Sequence, residues 1–84
     1  MQRRKAMNHL EKYNEIFTKA LGIPAENLKT LKYQDEGWDS ITHMELMAEM
    51  EDIFGIEMEA DDIIAFSSYE IGKEILGKYG IIFE

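Results

Sequence analysis

Cysteine is missing from the chain altogether, which excludes a disulfide framework, a thiol nucleophile and any zinc or iron-sulfur site built on cysteine. Whatever thiol chemistry the protein takes part in must use a borrowed thiol. No apolar run is long enough to cross a membrane. The basic cluster Arg3, Arg4 and Lys5 leads into mixed polar sequence rather than the apolar stretch of a secretory signal, so a cytoplasmic location is expected. Lysine and arginine are also absent from residues 35 to 62, where Asp35, Glu36, Asp39, Glu45, Glu49, Glu51, Asp52, Glu57, Glu59, Asp61 and Asp62 accumulate. The whole chain has 17 acidic against 9 basic side chains and a formal net charge of -8. That balance repels nucleic acid and anionic lipid, and it favours partners with basic surfaces.

What is present argues for a folded chain. At 84 residues there is room for one domain, 1–84, with a modest core. With 45% hydrophobic and 31% charged residues it is too apolar for disorder. Leu10, Tyr13, Ile16, Phe17, Ala20 and Leu21 recur at helical spacing, predicting a first helix over about 7–21 that Gly22 and Pro24 stop. Residues 22–39 read as a long structured loop pinned by Leu28, Leu31, Tyr33 and Trp38, and long loops in compact domains are more often functional than not. Asp39 and Ser40 have N-cap chemistry and precede a second helix over 41–54, which Gly55 ends. After an extended piece at 56–58, Asp61 and Asp62 introduce a brief third helix to about Phe66, with Ile63, Ile64 and Phe66 available for burial. Ser67 or Ser68 caps a fourth helix reaching Gly80, inside which Gly72 costs roughly 1 kcal/mol of helix propensity. The fold class is all-α.

The second helix has two contrasting faces. At 100° per residue His43, Leu46, Met47, Met50, Ile53 and Phe54 share a core-facing arc. Opposite them, Ile41, Met44, Glu45, Ala48, Glu49, Glu51 and Asp52 combine apolar residues with four carboxylates and no cation. A merely solvated face usually interleaves Lys or Arg at i+4 and seldom exposes Ile and Met. An acidic docking surface with a small apolar centre accounts for both features.

An Asp-Ser pair ahead of a helix is ordinarily a cap and nothing more. Here it sits in Gly37-Trp38-Asp39-Ser40-Ile41, followed by Glu45-Leu46 and Glu51-Asp52-Ile53-Phe54-Gly55-Ile56. This region resembles the phosphopantetheine attachment region of acyl carrier proteins, whose Asp-Ser-Leu signature is here Asp-Ser-Ile. The order of elements along nearly the whole chain is similar too. The resemblance implies a four-helix bundle of acyl-carrier type, with a short third helix and a long loop between helices one and two.

It also implies that a phosphopantetheinyl transferase moves 4'-phosphopantetheine from coenzyme A onto Ser40, with Asp39 and Ile41 flanking the attachment point. The protein would then be no enzyme. It would be a monomeric carrier that holds acyl groups as thioesters for fatty-acid, polyketide or other specialised biosynthesis. Ile41, Met44, Glu45, Glu51 and Asp52 match the positions by which carriers dock on basic patches of the enzymes that load and unload them. An aminoacyl or peptidyl carrier and an unmodified interaction module of the same fold remain open alternatives.

Two residues depart from the family pattern. His43 stands where many carriers have a small polar residue, and it reads as half-buried and structural, with contact to the arm as the second reading. Trp38 is bulkier than the residue usual before Asp-Ser, and both departures point to a specialised carrier. A calcium loop starting at Asp35 fails because Gly37, Ser40 and Leu46 occupy its third, sixth and twelfth positions. A hydrolase using Ser40 with His43 lacks an oxyanion loop and a sizeable pocket.

Overall fold

The computed structural model describes residues 7–83. Arg3, Arg4 and Lys5 lie outside them. Four α-helices follow in chain order, α1 (His9–Leu21), α2 (Ser40–Phe54), α3 (Ala60–Ala65) and α4 (Tyr69–Gly77), with one 3-10 turn at Ala25–Asn27. The expected all-α architecture is what the chain adopts.

Helix α1 begins two residues later than apolar spacing predicts, because Asn8 caps it. The Asn8 side chain accepts the Glu11 N–H at 2.8 Å, and the Glu11 carboxylate accepts the Asn8 N–H at 3.0 Å, a reciprocal capping box. At the other end Gly22, with φ of 69°, donates its N–H to the Thr18 carbonyl and reverses the chain in a left-handed conformation that glycine adopts without steric cost.

The 22–39 loop is pinned as expected by Leu28, Leu31 and Trp38, all buried, while Tyr33 is half-buried. Its far half is tied to the α3–α4 junction: the Tyr33 N–H donates to the Ser67 carbonyl at 2.9 Å and the Tyr69 N–H to the Leu31 carbonyl at 3.0 Å. These bonds deliver Trp38 to the core and Asp39 to the start of α2.

Two of the apolar residues expected in the core turn outward. Ile53 is 43% exposed and lines a groove between α1 and α2 with Met7 and Ile16. Ile64 is 78% exposed, because a six-residue helix presents adjacent positions about 100° apart and Ile63 already takes the inner side. Residues 56–58 form no strand; they follow Gly55 as irregular chain, with Met58 buried. Ser68 rather than Ser67 caps α4, its hydroxyl accepting the Ile71 N–H at 3.0 Å. Helix α4 closes at Gly77 instead of Gly80, because Lys78 and Tyr79 bond three residues back, to Ile75 and Leu76, in a tightened last turn.

The core is more aromatic than helix spacing indicated. Phe17, fully buried, has the rings of Tyr13, Trp38 and Tyr69 at 5.1, 5.4 and 5.6 Å. The Tyr13 hydroxyl donates to the Tyr69 carbonyl at 2.7 Å, and the Tyr69 hydroxyl bonds Asn14. Burial drives the Tyr13 phenol far above its ordinary range, so it stays a protonated donor.

Against this aromatic cluster the helix-breaking Gly72 acquires a reason. A Cβ there would collide with the Phe66 ring and the Tyr13 hydroxyl. Propensity alone makes Gly72→Ala stabilising by about 1 kcal/mol, whereas overpacking costs typically about 1–3 kcal/mol. We expect the packing effect to win and the melting temperature to fall; a rise would show that the core yields to the methyl group.

One ionic tie relieves the acidic run from outside it. Asp62 accepts from Lys78 Nζ at 2.7 Å and from the Tyr79 hydroxyl at 2.5 Å, while that hydroxyl accepts the Glu59 N–H at 2.9 Å. The Lys78 and Tyr79 hydrogen bonds hold the Asp62 carboxyl below the usual carboxylate range. A lowered carboxylate contributes stability that is present above its unfolded value, near 3.9, and is lost as pH falls through the folded value. Asp62→Asn is therefore expected to lower the melting temperature at neutral pH, with the gap to wild type closing below pH about 4. A gap that persists in acid would contradict the tie.

Candidate functional site

The site is built where the long loop enters α2. The Asp39 Oδ1 accepts the Thr42 N–H at 2.9 Å and the Asp39 carbonyl accepts the His43 N–H at 2.7 Å, so Asp39 is the N-cap. Bonds from the Thr42 amide, and then its hydroxyl, hold the Asp39 carboxyl below its ordinary range. With Asp39 capping, Ser40 has no capping task. It is the first residue of α2, is exposed, and its hydroxyl is in no hydrogen bond among the described residues.

Beside Ser40 lies a cleft of about 330 Å3, walled by Tyr33, His43, Met44, Ile63, Ile64, Phe66 and Ser67. Its lining is mostly apolar and includes Ser40. An exposed hydroxyl at a helix N-terminus suits a flexible anionic attachment, since the positive end of the helix dipole favours negative charge there. The apolar cleft suits whatever such an arm carries.

The expected docking residues divide. Ile41 and Met44 are 72% and 57% exposed, and with exposed Glu45 they share the half of α2 nearest Ser40. Asp52 is exposed about 18 Å from Ser40 along the helix, at about 1.5 Å per residue. Glu51 differs from the others: it is half-buried and its carboxylate accepts the Met58 N–H at 2.9 Å, holding the turn after α2. Ile64 extends the apolar rim across the cleft onto α3, and nothing in the helical spacing had singled it out. The available signal was the Ile63-Ile64 pair itself, since so short a helix cannot bury both.

His43 is half-buried, matching its structural reading. Its Nδ1 accepts the Trp38 indole N–H at 3.0 Å, and its Nε2 lies 2.8 Å from the Ile63 carbonyl. An indole nitrogen can only donate and a carbonyl can only accept, so the imidazole proton resides on Nε2. Trp38 and His43 thus explain each other: the two belong to one hydrogen-bonded pair.

Among the described residues no three His, Asp or Glu side chains converge as a metal site, and no helix is long and apolar enough to cross a membrane. Compared with known families, residues 14–70 match the model for the phosphopantetheine attachment site. The matched span starts within α1, takes in the loop, α2 and α3, and ends at the second residue of α4. No curated protein and no solved structure gives a significant match.

Proposed function

The chain belongs to the phosphopantetheine attachment family, and from that premise we propose that Ser40 bears the arm and that the loaded protein carries acyl groups between enzymes. The observation that carries this reading is the free, exposed Ser40 hydroxyl at the head of α2, on the lining of a mostly apolar cleft. A covalent 4'-phosphopantetheine supplies the thiol that a cysteine-free chain lacks, and the thiol holds cargo as a thioester. The chain's own residues do no chemistry on the cargo. Asp39 fixes the helix end, Ser40 supplies the anchoring oxygen, and the α2 face with Ile41, Met44, Glu45 and Asp52 presents the anchor to a phosphopantetheinyl transferase and to acyl-transferring enzymes with basic docking patches.

Incubation with coenzyme A and a phosphopantetheinyl transferase is expected to add the mass of one arm to the wild type and none to Ser40→Ala. Because Asp39 keeps its cap in the variant, Ser40→Ala should change stability by no more than about 0.5 kcal/mol, the usual range for surface substitutions. An unchanged wild-type mass with several transferases, or an arm on Ser40→Ala, would overturn the assignment.

A further inference from the structure

A groove of about 580 Å3 runs between α1 and α2, sharing no lining residue with the cleft beside Ser40. Its volume is that of occupied ligand sites, about 300–1,000 Å3. The His9 ring meets Phe54 edge-on at 5.7 Å, so the start of α1 lies against the end of α2 and the two helices run antiparallel. Met7 and Ile53 mark one end of the groove, Lys19 and Glu45 the other. Met7 and Ile53 are 37% and 43% exposed, which leaves that end apolar and uncovered among the described residues.

The two walls differ in charge. On α2, Glu45 and Glu49 stand one turn apart, both exposed and in no ion pair among the described residues. Carboxylates so spaced repel each other. The cations of the α1 wall do not relieve them: Lys19 pairs with Glu15 of its own helix at 3.8 Å, and Lys12 is in no ion pair among the described residues. The α2 wall therefore offers unmatched negative charge to cations from elsewhere.

The chain carries such cations next to it. Residues 1–6 join the described chain at Met7, at the Ile53 end of the groove, and include Arg3, Arg4 and Lys5. From Met7 back to Arg3 an extended chain spans about 13–14 Å, and from Ile53 to Glu45 the helix rises about 12 Å. Laid along the groove, Lys5 and Arg4 come level with Glu49, and Arg3 with Glu45. Aliphatic stems of such residues cover apolar surface like that of Met7 and Ile53 while their charged heads meet carboxylates.

We infer that Arg3, Arg4 and Lys5 fold back along the α1–α2 groove onto Glu49 and Glu45, making residues 1–6 an internal competitor for the basic patch of a docking enzyme. Glu45 belongs to both surfaces, so the segment and a partner exclude each other there. The competing role rests on the docking reading proposed above; the closure itself does not.

A water-soluble carbodiimide joins an amine directly to a carboxylate, so it records which carboxylates Lys5 touches. In the full chain at low salt, monomer cross-links from Lys5 should fall mainly on Glu45 and Glu49, as located by fragmentation after digestion. They should vanish near 1 M salt, where the screening length is about 3 Å. Arg3→Ser with Arg4→Ser should cut their yield by about two- to fivefold, in the range of exposed ion pairs. Arg3→Ser, Arg4→Ser and Lys5→Ser together should speed transfer to a partner with a basic patch by about two- to fivefold at low salt. Because the triple change also makes the whole chain more acidic, it is repeated in Glu49→Gln, where a local contact requires a smaller gain.

Lys5 cross-links that fall on other carboxylates, occur only in dimers or ignore salt would overturn the closure, the dimer pattern assigning the groove to a second copy. Transfer unmoved by the triple change, or a gain of equal size in Glu49→Gln, would overturn the competition. A chain that cross-links as expected but takes no arm loses the carrier reading and the role built on it while keeping the closure; one that takes its arm without these cross-links loses the inference alone.

Discussion

Phe17→Ala is expected to lower the melting temperature by about 12 °C or more. Phe17 is fully buried and central to the aromatic cluster, with Tyr13, Trp38 and Tyr69 within 5.6 Å and Phe66 at 6.4 Å. Truncating a core phenylalanine costs about 3–5 kcal/mol through lost burial and the cavity left behind. Rigid aromatic neighbours collapse poorly into such a space, which favours the upper part of that range. A domain of this size buries a smaller share of its surface than larger ones do, and natural domains hold only about 5–15 kcal/mol in all. Circular dichroism on heating reads the outcome directly. Since 1 kcal/mol shifts the midpoint by about 4–8 °C in domains of this length, a loss under about 12 °C would contradict the central place given to Phe17.

The second large effect concerns partners. Glu45→Lys should slow transfer to and from a partner enzyme by tenfold or more at low salt, within the about 10–1,000-fold that steering by surface charge supplies. Glu45 is exposed and in no ion pair among the described residues, so the fold should be untouched. Near 1 M salt, where the screening length falls to about 3 Å, wild type and variant should converge. Glu51→Lys makes an instructive contrast. Its carboxylate holds the Met58 N–H, so this reversal should lower stability as well as transfer, and its kinetics alone say little about docking. Transfer rates indifferent to both Glu45→Lys and salt would remove the acidic face of α2 from the account.

The parts of this fold that could be read in the sequence are those governed by local chemistry. Gly22 and Gly55 end α1 and α2 in left-handed conformations at the expected positions, because the steric advantage of glycine there needs no knowledge of the rest of the chain. Asp39 and Ser40 marked the start of α2, and the structure divides their roles by assigning the cap to Asp39. Harder to read were features that depend on residues far apart in the chain. Gly72 looked like a weakness of α4 until Phe66 and Tyr13 came against it. The acidic run was counted without Lys78, which reaches Asp62 from 16 residues away. Ile53 was placed inward by its helical phase and Ile64 was offered for burial by its apolarity, but a groove and a six-residue helix turn them out. His43 fell on the core-facing arc, yet its bonds to Trp38 and Ile63 appear only once loop, α2 and α3 are packed.

The most direct measurement of the central claim is the position of the arm on the chain. No Lys or Arg lies between Lys32 and Lys73, so trypsin releases the three serines, Ser40, Ser67 and Ser68, on one peptide spanning 33–73. Intact mass or digestion alone therefore does not distinguish them, and fragmentation of that peptide does. Ser68 is committed to capping α4, while Ser67 is exposed on the same cleft as Ser40, which makes Ser67 the meaningful rival. After loading with coenzyme A and a transferase, the fragments are predicted to carry the arm on Ser40 alone; an arm on Ser67 or Ser68, or an unmodified peptide, would contradict the account.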